Sequence, residues 1–155
     1  MFRHRLIDDT RKFGFWRWQE ILDDPEQGPY ITKLYLWRTP WQQTSIHWLH
    51  RKDPGGDLHD HPRSFISILL RGGYTEQISV FHPVQWFSDT IPYVSHVFRS
   101  AFSIAFRKAE TAHAIVDVDP GTVSLVLWGR KRRPWGFHTR LGWVPWKVYC
   151  GIEEP

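Results

Sequence analysis

Cysteine is nearly absent from this chain. The single thiol, Cys150, excludes an internal disulfide and any zinc site built from several thiolates. There is no uninterrupted apolar run of the ~20 residues needed to cross a bilayer. The opening MFRHRLIDDTRK has no apolar core of the kind a secretory leader needs. Repeats, low-complexity tracts and Ser- or Gly-rich linkers are also missing. What these absences leave is one domain of 155 residues, expected in the cytoplasm and large enough to bury a core without covalent staples. Excess charge is scarce too. The net +4 is spread along the chain, and only Arg130, Lys131, Arg132 and Arg133 form a run. One short basic run reads as a solvated turn, so no nucleic-acid partner is expected.

What is abundant is aromatic residues and histidine. Ten Trp, ten Phe and nine His in so short a chain favour strands and a wide interior with metal-binding capacity. The stretch from Asp9 to Leu22 has weak helical periodicity broken by Gly14, and Asp23 to Pro29 is a loop. Residues 1–29 are therefore expected to form a short, partly helical N-terminal extension. From Tyr30 the pattern alternates. YITKLYLWR places Ile31, Lys33, Tyr35 and Trp37 on one face and Thr32, Leu34 and Leu36 on the other. SIHWLHR, SFISILL, YTEQISVF, HVFRSAFSIAFRK, the segment from Ala114 to Val118, TVSLVLWG and GWVPWKVY follow, divided by Gly and Pro turns such as Gly72-Gly73. Many short strands with no long helix between them predict an all-β sandwich or barrel over residues 30–155. SFISILL and TVSLVLWG should be central strands, with Phe65, Ile66, Ile68, Leu69, Leu125 and Leu127 buried.

The most informative segment is Asp57-Leu58-His59-Asp60-His61-Pro62. Residues i and i+2 of a strand share a face, so His59 and His61 can converge, and paired imidazoles suit a first-row transition metal. A third ligand should come from a neighbouring strand, and His113, between two strand-like segments, is the best candidate. His47 and His50 face opposite sides of SIHWLHR. His50 shares its face with Ile46 and Trp48, which makes it the better contact for a substrate. Arg63, Arg71 and Tyr74 flank the histidine pair, and guanidinium forks match carboxylates and phosphates. His138 is placed near the rim as a further substrate contact, whereas His4, His82 and His96 read as ordinary residues.

His59-Asp60-His61 followed by Gly72-Gly73, with a lone His113 before a later strand, resembles the two motifs of the cupin superfamily. LHDHPRSFISILLRGGYTE and GRKRRPWGFHTRLGWVPWKVY are also similar to a group of small cupin proteins of bacterial and phage genomes. The resemblance covers roughly residues 30–150. It implies a double-stranded β-helix, a jelly-roll-like barrel, holding one divalent transition metal on His59, His61 and His113. Iron(II) is favoured, with zinc, manganese or nickel as alternatives, and a homodimer is a common cupin state. Two departures stand out. Phe65 and Ile66 occupy the places of the usual motif glutamate, and Lys108 and Glu110 those of the usual Pro-x-Gly turn. The site is then either three-histidine, as in the thiol dioxygenase branch, or completed by a carboxylate from elsewhere. Glu76 leads those carboxylates, ahead of Asp57 and Glu110.

Three neutral ligands leave a divalent ion with its full charge and open positions, suited to binding a substrate anion and then dioxygen, or to acting as a Lewis acid. Oxygenases that use 2-oxoglutarate place a carboxylate two residues after their first histidine, where this chain has His61. The expectation is an iron(II) oxygenase of dioxygenase type with no cofactor beyond its metal. Its substrate would be small and polar or anionic, with His50 and Tyr74 as candidate catalytic residues and Arg63, Arg71 and His138 as substrate contacts. The alternative is a non-redox isomerase or lyase, or a ligand-binding cupin without turnover.

Overall fold

The computed structural model describes residues 14–21, 26–79 and 94–152. His4 and His82 lie outside them. Among the described residues, alternation of aromatic and β-branched residues with polar ones gives twelve strands, and every pairing is antiparallel. They are β1 (Gly14–Ile21), β2 (Ile31–Arg38), β3 (Gln43–Leu49), β4 (Leu58–His59), β5 (Phe65–Arg71), β6 (Gly73–Ser79), β7 (Val94–Ser100), β8 (Ile104–Arg107), β9 (His113–Val118), β10 (Thr122–Trp128), β11 (Gly136–Thr139) and β12 (Gly142–Pro145). They form two six-stranded sheets. Sheet I has the order β1-β2-β3-β10-β5-β8, and sheet II the order β12-β11-β4-β9-β6-β7. No helix among the described residues is long and apolar enough to cross a membrane.

Two local expectations are corrected. Gly14–Ile21 is a strand paired with β2 along its length, from Gly14 opposite Arg38 to Ile21 opposite Ile31. The alternation in GFWRWQEI outweighs a helical periodicity that Gly14 already interrupts. At the other end, GWVPWKVY divides into β12 and a single helical turn, α1 (Trp146–Tyr149).

SFISILL and TVSLVLWG are central strands, β5 and β10, paired with each other. The faces they bury differ from expectation. Phe65, Leu69, Val126 and Trp128 are buried and point between the sheets. Ile68, Leu125 and Leu127 are only partly covered, and Ile66 is 38% exposed. Register explains this. Ser67 and Ser124 fall on the inner face, so the apolar residues at alternate positions turn outward beside Ile104 and Phe106 of β8. At one end of the interior, Ile31, Leu49 and Leu69 of sheet I pack on Tyr74 of sheet II. At the other, Phe65, Val126 and Trp128 pack together and leave room for histidines.

The Gly72-Gly73 turn is required sterically. Gly72 has φ +75°, and a Cβ there would lie 2.4 Å from Thr122 Oγ1 and 2.8 Å from Thr122 Cα. Thr122 cannot retreat, since its hydroxyl donates to Gly73 O and accepts from Gly73 N. Gly72→Ala should therefore destabilise the fold by about 1–3 kcal/mol, the usual cost of a non-glycine residue held in the left-handed region, plus the overlap. Chemical denaturation against the parent measures the difference.

Candidate metal centre

Three histidines from two adjoining strands and a loop meet between the sheets. His59 closes β4 and is the Cα partner of His113, the first residue of β9, so the ladder sets both rings side by side. After His59 the chain leaves the strand. Asp60 N–H donates to Gly136 O and His61 N–H to Ala109 O, which turns the His61 ring inward. All three ring pairs have centroids 5.0 Å apart, and one nitrogen from each ring lies within 4.8 Å of the others. His61 Nε2 and His113 Nε2 are 2.7 Å apart. Sheet I covers the cluster with aromatic rings, Phe65 at 5.0 Å and Trp128 at 5.3 Å from His61, and Trp135 stacks over the same ring at 6.4 Å.

Groups behind the rings orient them. Glu76 of β6 is only 2% exposed, and its Oε1 accepts from His113 Nδ1 at 2.7 Å. That bond keeps the proton on Nδ1 and turns the Nε2 lone pair toward the other two histidines. Arg107 of β8 grips both oxygens of the same carboxylate, and Arg99 Nε approaches it at 3.4 Å. Burial opposes ionisation of Glu76, yet the bonds from His113 and Arg107 prevail and hold it at about 2. His59 Nδ1 lies 3.8 Å from Asp53 Oδ2, beyond a direct hydrogen bond. Asp53 is itself fixed by Ile115 N–H at 2.7 Å.

Asp60, between the two paired histidines, is fully buried and faces away from the cluster. It accepts from Gly136 N–H, Arg133 Nη1 and Trp143 Nε1, with His138 Nε2 at 3.4 Å. This carboxylate holds the irregular backbone that lets His59 and His61 both point inward.

The donor set fits a divalent first-row ion. Burial, reinforced by neighbouring cations and imidazoles, lowers His61 well below the ordinary histidine range, and burial lowers His59 to about 4 against the pull of Asp53, so both stay neutral and offer lone pairs at physiological pH.

The structure separates the other candidates. Glu76 serves His113 from behind instead of facing the cluster, Asp57 accepts from Tyr149 Oη, and Glu110 is exposed. His50 turns outward and bonds Thr32 Oγ1 at 2.9 Å, while His47 takes the inward face. His47 Nε2 lies 2.9 Å from Ser45 Oγ. That hydroxyl accepts from Trp128 Nε1 and is left to donate to the histidine. Tyr74 lies in the apolar end of the interior, hydrogen-bonded to Ser67, with burial the main cause pushing its phenol to about 12. Arg63 donates to the carbonyls of Pro40 and Gly129. Arg71 ends β5 about 20 Å along the strand from Phe65. His138 is engaged by Asp60, and His96 bonds Gln77 on the surface.

Sequence reasoning missed Asp60, Asp53, Arg107 and Lys33. For Lys33 a signal was present, since it alternates with Ile31 and Tyr35 on one face of a strand.

No family model and no curated protein matches this chain. Solved structures do. KdgF from Halomonas sp. is 16% identical with a TM-score of 0.52, over 77% of this chain and 96% of that one. FeII HppE is 12% identical with a TM-score of 0.53, over 79% of this chain and 62% of that one. The DMSP lyase DddQ from Ruegeria pomeroyi DSS-3 is 16% identical with a TM-score of 0.50, over 74% and 56%. The likeness is one of fold.

Three predictions follow from the geometry of the cluster. Glu76→Gln should weaken divalent metal binding roughly 10–100-fold, as loss of a carboxylate behind a ligating imidazole does. His113→Ala should strip most of the metal while the β-sheet circular dichroism persists. Metal titration of the purified variants checks both. A third prediction concerns pH. A histidine that resists protonation when folded takes up protons on unfolding, so full stability lies above pH 6.5 and falls as the pH drops toward 4. His59, mostly enclosed, contributes about 3 kcal/mol to that loss in the metal-free protein. His47 and His61 act in the same direction. Denaturation midpoints measured between these two pH values give the slope.

Proposed function

We propose that this protein of cupin fold is a mononuclear iron(II) enzyme, an oxygenase acting on a small anionic substrate between its sheets. One observation carries the reading. The inward cluster consists of three imidazoles, and the nearest carboxylates are committed elsewhere, Glu76 to Arg107 and His113 and Asp60 to Arg133 and Gly136. An ion held this way keeps its double positive charge and its open positions, and supplies a place for an anionic substrate and dioxygen side by side. The chain's own residues would do three things. His59, His61 and His113 would hold the metal, with Glu76 fixing the His113 tautomer. Phe65, Trp128 and Trp135 would exclude bulk water from the reacting side.

Solved structures of the same fold include the iron(II) protein HppE and the DMSP lyase DddQ. The fold therefore accommodates redox and non-redox chemistry, and the metal must decide. Small molecules, not nucleic acids, are the partners this reading implies. Arg133, the one member of the basic run that reaches the interior, is tied to Asp60.

Anaerobic titration should load one iron(II) per chain. Nitric oxide added to that protein should give the half-integer-spin resonance of an iron(II) ion with an open position. Tight zinc binding with no nitric oxide signal from the iron-loaded protein would transfer the site to non-redox Lewis-acid chemistry.

A further inference from the structure

Lys33 is a cation on the inner face of sheet I, and only Asp53, at a distance, offsets its charge. It sits on β2, opposite His47 of β3, and His47 is opposite Ser124 of β10. Directly opposed residues of an antiparallel pair hold their Cβ atoms about 4.5–5.5 Å apart and on the same face. His47 faces the interior, 6.2 Å from the Trp128 ring, and Trp128 lies 5.3 Å from His61. Lys33 thus belongs to the wall that looks onto the histidine cluster. Its charge is felt by His47, His59 and His61, which it makes harder to protonate.

The other interior cations are engaged. Arg107 and Arg99 share Glu76, and Arg133 is held by Asp60. Lys33 makes no hydrogen bond and no ion pair among the described residues. Asp53 attracts it from a distance, and that same carboxylate is committed to Ile115 N–H. Lys33 as a whole is half-buried. Burial lowers it to about 8 against the pull of Asp53, so it still carries its charge at neutral pH.

A buried ammonium without a partner is costly unless a ligand supplies one. Ser45, Ser67 and Ser124 are small polar residues buried on the same inner face. We infer that Lys33 is a substrate-binding residue that pairs with a carboxylate at one end of a small acid whose other end, a second oxygen donor, reaches the metal on His59, His61 and His113. The inference rests on the metal-site reading above and narrows its substrate class to short acids with two oxygen-donor groups. A single negative charge would satisfy either Lys33 or the ion. Two separated donors satisfy both.

The test uses the full chain loaded with cobalt(II), whose visible absorption reports changes around the ion. Malonate, succinate and glutarate are titrated against the monocarboxylates of equal carbon number. At least one diacid should bind about 10-fold or more tightly than its monoacid, the gain expected of a charge-assisted contact away from water. Lys33→Met should abolish that preference while cobalt stoichiometry and circular dichroism match the parent. Lys33→Arg, which keeps the charge, should retain part of it, and Lys33→Gln gives a second neutral variant should the methionine fail to fold. In the metal-free protein, the favoured diacid should perturb tryptophan fluorescence in the parent and not in the neutral variants. A parent with no diacid preference, or neutral variants that keep it, would overturn the assignment. Loss of cobalt binding by the parent, with the Lys33-dependent fluorescence response intact, would sink the metal reading and leave Lys33 as an acid-binding residue.

Discussion

The buried carboxylate of Glu76 is the constraint on which the centre depends. Ionised and nearly inaccessible, it is tolerable only because Arg107, Arg99 and His113 surround it with donors. Those donors come from different places. His113 and Arg99 lie on strands flanking β6 in sheet II, and Arg107 reaches across from sheet I. One carboxylate thereby ties the sheets together and fixes a proton on the outer nitrogen of a histidine. Removing the carboxylate would leave Arg107 buried without its partner, so structure and site are coupled through the same group.

Asp60 performs a parallel task for the other two histidines. Strand geometry alone would turn His59 and His61 to one side, but β4 is only two residues long and ends at His59. Past that point the backbone is irregular, and irregular buried backbone needs partners. Asp60 supplies them by bonding Gly136 N–H, Arg133 and Trp143. The basic run that follows β10 thus contains one residue with a structural task, and the His-x-His spacing works because the residue between the histidines is a carboxylate facing the opposite way.

Strand alternation and turn residues made the architecture legible, since a period of two and glycine turns such as Gly72 depend on neighbours in the chain. The choice of face was less legible. In β5 and β10 both faces carry apolar residues, and hydrophobicity alone selects Ile66, Ile68, Leu125 and Leu127 for the interior. The interior of this fold must also hold histidines and polar groups, so Ser67 and Ser124 point inward and the aliphatic residues turn out. The same inversion exchanges His47 for His50. His59, His61 and His113 could be picked out because two of them share a motif and the third opens a strand. The groups behind them could not, because Arg107 lies 31 positions from Glu76 and only the β5–β8 pairing brings it near.

The charges of the interior, taken together, limit what can enter it. Glu76 is offset by two arginines and Asp60 by Arg133, so neither carboxylate has negative charge to spare for an ion on the three histidines. Asp53 is shared between His59, Lys33 and a backbone amide, and stands off from the first two. A divalent ion on three neutral imidazoles, with the Lys33 ammonium on the same interior wall and only Asp53 near it, would leave the interior strongly positive. Low surrounding polarity strengthens that field. A neutral guest would leave the excess uncompensated, and a cationic one would add to it. On the proposed reading, a molecule that balances this space would carry a carboxylate for Lys33 and a second oxygen donor for the ion, with the spacing between them set by the distance from Lys33 to the histidine cluster.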